Sequence, residues 1–138
     1  MLDKFDLLEA DYIDTAKVRY IVYPYSPPLA AEAAWCADDQ GKFFEFQHAL
    51  YERQGTISLT QQDALTNLAT TIGLDGNALA ECLSNGTHRT QVEGVRRTAA
   101  QRGVEVTPTF FINSQKITGN QPYPEFQRLL DQALTVAQ

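Results

Sequence analysis

The chain has 138 residues, 43% of them hydrophobic and 20% charged, the balance of one soluble globular domain with a single core. Its formal net charge of -6 and pI near 4.8 argue against nucleic acid or an anionic membrane surface as the main partner, since both select a basic footprint. No apolar run approaches the roughly 20 residues that span a bilayer, and Met1-Leu2-Asp3-Lys4-Phe5-Asp6 lacks the basic-then-apolar layout of a secretory signal.

Leu2, Phe5, Leu8, Tyr12 and Ile13 recur at near-helical spacing with acids between them, which predicts the tail of an amphipathic helix. Lys17 to Tyr23 is β-branched and aromatic, nearly continuous in apolar character and stopped by Pro24; it reads as a well-buried strand. Ser26-Pro27-Pro28 makes a rigid lead-in to an alanine-rich helix over Leu29–Ala37 that carries Trp35 and Cys36. After Gly41, Phe43, Phe46, Leu50 and Tyr51 mark a second helix, and Thr60-Gln61-Gln62-Asp63 has the composition to cap a third one ending near Gly73. Asp75 is placed to cap a fourth helix closed by Asn85-Gly86, and a fifth runs from about Thr87 to Arg102.

Val106-Thr107-Pro108-Thr109-Phe110-Phe111-Ile112-Asn113 reads as a strand begun behind a proline and left by a turn at Asn113-Ser114. Lys116-Ile117-Thr118 is its short partner, and Tyr123, Phe126, Leu129, Leu130, Ala133 and Leu134 face one way on a last helix. From local sequence alone a trans Thr107-Pro108 bond is the favoured form, although a cis X-Pro bond costs only about 0.5–1 kcal/mol. The order of helix, strand, helical block, hairpin and helix points to a small sheet with helices on it, an α/β arrangement.

Two cysteines, Cys36 and Cys82, are too few and too far apart for a zinc ribbon or a Cys-X-X-Cys centre. They either pair, which needs an oxidising compartment, or remain as two buried thiols.

These segments together resemble the DsbA-like group of thioredoxin-fold protein-disulfide oxidoreductases. The resemblance is carried by Tyr12-Ile13-Asp14-Thr15 before Lys17-Val18-Arg19-Tyr20 and by Ala31-Glu32-Ala33-Ala34-Trp35-Cys36-Ala37. Further along the same order come Gln40-Gly41-Lys42-Phe43, His48-Ala49-Leu50-Tyr51, Gly73-Leu74-Asp75 and Cys82-Leu83. Gly103-Val104, Thr107 to Asn113 and Gly119-Asn120-Gln121-Pro122-Tyr123 complete it. It implies a single thioredoxin-like domain over residues 1–138, with a helical insertion at about 29–102. It also implies that the first core strand is missing and that the chain is truncated ahead of the family's Cys-X-X-Cys, so no catalytic residue is assigned.

The resemblance further implies that Thr107-Pro108 is a cis-proline step offering backbone hydrogen bonds to an extended peptide or partner protein, and that Cys36 and Cys82 form a structural disulfide. A redox-inactive, peptide-binding or dimerising remnant is then expected, with a homodimer through the uncovered sheet as one route to cover the gap. A fragment of an active disulfide oxidoreductase is the alternative. The family's compartment is extracytoplasmic, periplasmic or secreted.

His48 and His88 are isolated in sequence and lie in no metal-ligand pattern, so neither a metal nor any other cofactor is expected. Asp38-Asp39 suits a solvated helix end, and Arg96-Arg97 with Arg102 suits a helix C-terminus. Ser26, after a strand and ahead of a helix, is a weaker resemblance to the glutathione-handling serine of kappa-class glutathione transferases; that reading makes Val18 to Tyr23 the central strand.

Overall fold

The computed structural model describes residues 2–137. Helix α1 (Leu2–Leu8) runs into a π-helical turn at Glu9–Ile13. Five helices follow in succession: α2 (Pro28–Asp38), α3 (Phe43–Glu52), α4 (Gln62–Thr71), α5 (Gly76–Asn85) and α6 (Arg89–Gln101). Strands β1 (Thr109–Ile112) and β2 (Gln115–Thr118) precede the last helix, α7 (Tyr123–Ala137). Contacts gather into two compact units, one of Val22–Ala99 and one of the residues up to Ile21 together with those from Ala100 onward.

In the helical unit, α2 starts with Pro28 at its first position, where the missing N–H is no loss. Its alanines let neighbours approach closely. Ala33, Ala37, Phe46, Leu65, Ala69 and Leu79 have no exposed surface and form one core with Cys36, Leu68 and Leu83. Asp75 caps α5 by accepting from the Ala78 N–H at 3.0 Å, and Gly86 ends it in the left-handed conformation, both as the sequence predicts. Thr60 does not cap α4. Gln61 occupies that position without a side-chain bond, while the Thr60 hydroxyl turns to Ser58 Oγ at 3.2 Å.

The expected strand over Lys17 to Tyr23 is absent. Among the described residues the sheet has two strands, β1 and β2, and residues 18–25 carry no regular structure. Burial nonetheless alternates along them. Val18, Tyr20 and Val22 are half-buried and Pro24 is buried, whereas Arg19 is exposed, as are Ile21 at 51% and Tyr23 at 62%. The side-chain period of a strand is there, but β propensity alone makes no strand without a ladder partner, and half of this segment faces outward rather than being well buried.

In the second unit, β1 and β2 pair antiparallel with Thr109 opposite Thr118 and Ile112 opposite Gln115, leaving Asn113-Ser114 as a two-residue turn. Asn113 takes a φ of 54°, a conformation asparagine tolerates better than branched residues. Helix α7 packs on the face carrying Phe110, Ile112 and Ile117, with the Phe110 and Phe126 rings edge-on at 4.8 Å. Phe111 points the other way. The Arg102 guanidinium lies over its ring, 3.6 Å from the centroid.

Two tyrosines tie the first helical turns to α7. Tyr12, 3% exposed, donates to Asp131 Oδ1 at 2.7 Å, and Tyr123 donates to Asp11 Oδ2 at 2.5 Å. Burial first, then the bond to Asp131, pushes the Tyr12 hydroxyl well above its ordinary value, and burial followed by Asp11 raises Tyr123 to about 12. Both phenols therefore keep their protons more firmly in the folded chain than in the unfolded one. Their contribution to stability is complete below about pH 10 and is lost as pH rises through the folded values. The melting temperature is expected to fall more steeply above about pH 10 in the native chain than in a Tyr12→Phe/Tyr123→Phe double variant. Parallel alkaline profiles for the two would remove this role.

Candidate functional site

Three places in the sequence carry expectations of chemistry, and they lie in different units. Thr107-Pro108 belongs to the hairpin unit, while Ser26 and the cysteines belong to the helical one.

The Thr107-Pro108 peptide bond is cis, as is Ser26-Pro27. Thr107 is exposed and Pro108 half-buried immediately before β1. The Pro108 carbonyl accepts from the Gly119 N–H at 2.8 Å, which extends the hairpin ladder one step past Thr109 and Thr118. The Thr109 hydroxyl donates to the Val106 carbonyl at 2.6 Å and closes the turn ahead of the proline. This end of the hairpin is thus held from both sides. At its other end a depression lined by Ile112, Leu129, Ala133 and Val136, with Asn113, Gln115 and Gln132 as polar neighbours, offers no ionisable group.

Cys36 and Cys82 are joined, with Cα atoms 6.0 Å apart, and they link α2 to α5. Cys36 is 2% exposed, while Cys82 is half-buried. His88, between α5 and α6, sets Nε2 2.7 Å from Asp39 Oδ2 at the C-terminus of α2, and Arg89 Nε lies 3.6 Å from the buried carboxylate of Glu32 on α2. His88 and Asp39 are remote from the cysteines in sequence, so no spacing rule could have grouped them. His48 faces Glu52, one turn along α3, at 3.4 Å.

Ser26 is exposed, one residue outside the N-cap Pro27. The central strand that a glutathione-handling role requires ahead of it is not formed. Arg96, on α6, and Arg102, just beyond its end, both have partners. Arg96 donates to the Tyr25 carbonyl at 3.1 Å and lies over its ring, and Arg102 covers Phe111.

The thioredoxin family model matches residues 3–132, nearly the whole chain. The chain belongs to the thioredoxin family. Within it this thioredoxin-family domain is DsbA-like in fold. It superposes on the crystal structure of oxidised BdbD from Bacillus subtilis with a TM-score of 0.77 at 23% identity, covering 95% of this chain and 76% of that one. Among curated proteins, the domain is 25% identical over 146 residues to disulfide bond formation protein D of Bacillus subtilis, which takes in 96% of this chain and 64% of that protein. It is also 29% identical over 120 residues to the Na(+)/H(+) antiporter NhaA of Herminiimonas arsenicoxydans, where the match spans 84% of this chain and 18% of that protein. The domain is therefore shorter than the curated relatives it matches. Among its described residues no helix is long and apolar enough to cross a membrane. With only Cys36 and Cys82 in the sequence, the thioredoxin-family domain carries a disulfide-bonded pair of cysteines 46 positions apart and no Cys-X-X-Cys.

Proposed function

We propose that the thioredoxin-family domain is the polypeptide-docking part of a DsbA-like thiol-disulfide exchange protein, and that by itself it is redox-inactive toward protein disulfides. The observation that carries this reading is the edge of β1. Among the described residues β1 pairs with β2 alone, and it starts directly behind the exposed Thr107 and the half-buried Pro108. An unpaired strand edge binds an extended segment through main-chain donors and acceptors, a mode that needs no cysteine.

Strand addition has a direct test. A fluorescently labelled extended peptide is expected to bind, and methylating two of its alternate amide nitrogens should weaken binding roughly 30-fold, since each lost hydrogen bond is worth about 1 kcal/mol. Equal affinity for the methylated peptide, or no binding, overturns the reading. In an insulin-reduction assay the 138-residue chain is expected to give no turnover above the uncatalysed rate. Turnover would refute the inactive half of the proposal.

Two further readings follow from specific observations. The 64% coverage of the Bacillus disulfide bond formation protein favours the domain as a piece of a longer, active oxidoreductase. An upstream reading frame encoding a strand and then Cys-X-X-Cys would establish that. A second copy also offers a strand edge, so homodimerisation competes with peptide docking for β1. Light scattering would then show a mass rising with concentration toward twice 15.4 kDa, and a constant 15.4 kDa would exclude it. An oxidising, extracytoplasmic compartment suits all three readings, because a disulfide such as Cys36–Cys82 persists there.

A further inference from the structure

The disulfide of the helical unit lies beside donors that the docking reading does not use. Cys36 Sγ, Cys82 Sγ and a ring nitrogen of His88 all lie within 4.8 Å of one another. Asp39 Oδ2 adds a fourth donor, 2.7 Å from His88 Nε2 and 3.8 Å from Cys82 Sγ. Two sulfurs, one imidazole nitrogen and one carboxylate oxygen form a donor set suited to four-coordinate zinc. With zinc bonds of about 2.0–2.3 Å, the ligand atoms of a tetrahedral site stand roughly 3.3–3.8 Å apart. Asp39 is not one of the three donors that stand within 4.8 Å of one another, so a tetrahedral site needs its exposed carboxylate to swing inward and separate from the nitrogen by about half an ångström, and the sulfurs need to be uncoupled from each other.

The supporting contacts also fit a metal site. His88 Nδ1 lies 3.0 Å from Gln91 Oε1, which holds the ring with Nε2 turned toward Asp39 and is the kind of partner that orients a ligating histidine. The pair of Arg89 and Glu32 pins the same segment to α2. Cys36 is buried, which excludes water on one side, while the Asp39 side chain is 51% exposed and leaves a route for an ion.

We propose that Cys36, Asp39, Cys82 and His88 form a redox-gated zinc site, closed to metal as the disulfide and opened by reduction. A dithiol reductant delivers two electrons and two protons, becoming a disulfide itself; the Cys36–Cys82 bond breaks and two thiols form. Zinc displaces the two thiol protons to solvent and makes two zinc–sulfur bonds, with no change in its own oxidation state. Transfer of two electrons to a disulfide oxidant re-forms the sulfur–sulfur bond and releases Zn²⁺.

The whole chain, reduced with a phosphine under nitrogen, is titrated with Co²⁺ and then with Zn²⁺ against a chromogenic chelator. The expected result is one metal per reduced chain, with thiolate-to-cobalt charge transfer and the visible bands of tetrahedral Co²⁺, and no such spectrum in the oxidised chain. His88→Ala keeps both cysteines and should weaken zinc binding by the reduced chain roughly tenfold or more, with Gln91→Ala weakening it about 10–100-fold. Should reduction lower helicity, zinc is expected to restore it. No cobalt spectrum in the reduced chain overturns the proposal. So does zinc affinity unchanged in His88→Ala, or helicity that zinc fails to restore, because the metal is then held only by the cysteines of an opened chain.

Discussion

Unfolding of a Cys36→Ala/Cys82→Ala double variant is expected at a free energy about 4 kcal/mol below that of the oxidised native chain. The bridge closes a loop of 46 positions, and in the chain-entropy treatment a loop of that length removes about 4 kcal/mol worth of disorder from the unfolded state. The folded state has little to offset this. Cys36 is surrounded by the alanines of α2 and the core of the helical unit, so the cross-link sits inside packing that it reinforces. Urea unfolding of the two proteins, extrapolated to water, measures the difference. A loss under about 1 kcal/mol would mean that the unfolded chain is already compact across this loop.

Phe46→Ala is the second change expected to have a large effect, at about 3–5 kcal/mol. Phe46 lies on α3 with no exposed surface, in the core that α2, α4 and α5 share, next to residues such as Leu65 and Leu79 that are equally sealed from water. Removing the ring leaves a void in a cluster rich in alanines, which cannot extend to fill it. Phe44, on the same helix but 50% exposed, provides the internal control. Its alanine variant should change stability far less, and similar losses at the two positions would show that the core is not sited where these side chains lie.

The hairpin and the helices were legible in the sequence because their signals are local. Asn113-Ser114 between β-rich runs needs only a two-residue turn, and Asp75 needs only the Ala78 N–H three residues on. Residues 17–23 misled because a strand is a property of two segments. Their composition suits a sheet, and their exposure even alternates as in one, yet neither β1 nor β2 pairs with them. Thr60 failed as a cap for a different, local reason, its hydroxyl finding Ser58 two residues back instead. The donor group at Cys36, Asp39, Cys82 and His88 was invisible because its members become neighbours only when α2 meets α5. The one available signal was the pairing of the cysteines, which brings residues three positions beyond Cys36 and six beyond Cys82 to the same end of the bridge.

Arg102 over Phe111 bears on how the chain behaves in concentrated solution. A two-stranded hairpin covered by a helix on one face has a second face that is sticky in proportion to its apolar side chains. Here the Phe111 ring sits on that second face, and the Arg102 guanidinium lies across it. Arg102 is therefore expected to act as a gatekeeper, setting a charge over ring surface that would otherwise be bare. Arg102→Ala should shorten the time to turbidity on heating before it changes the melting temperature measurably.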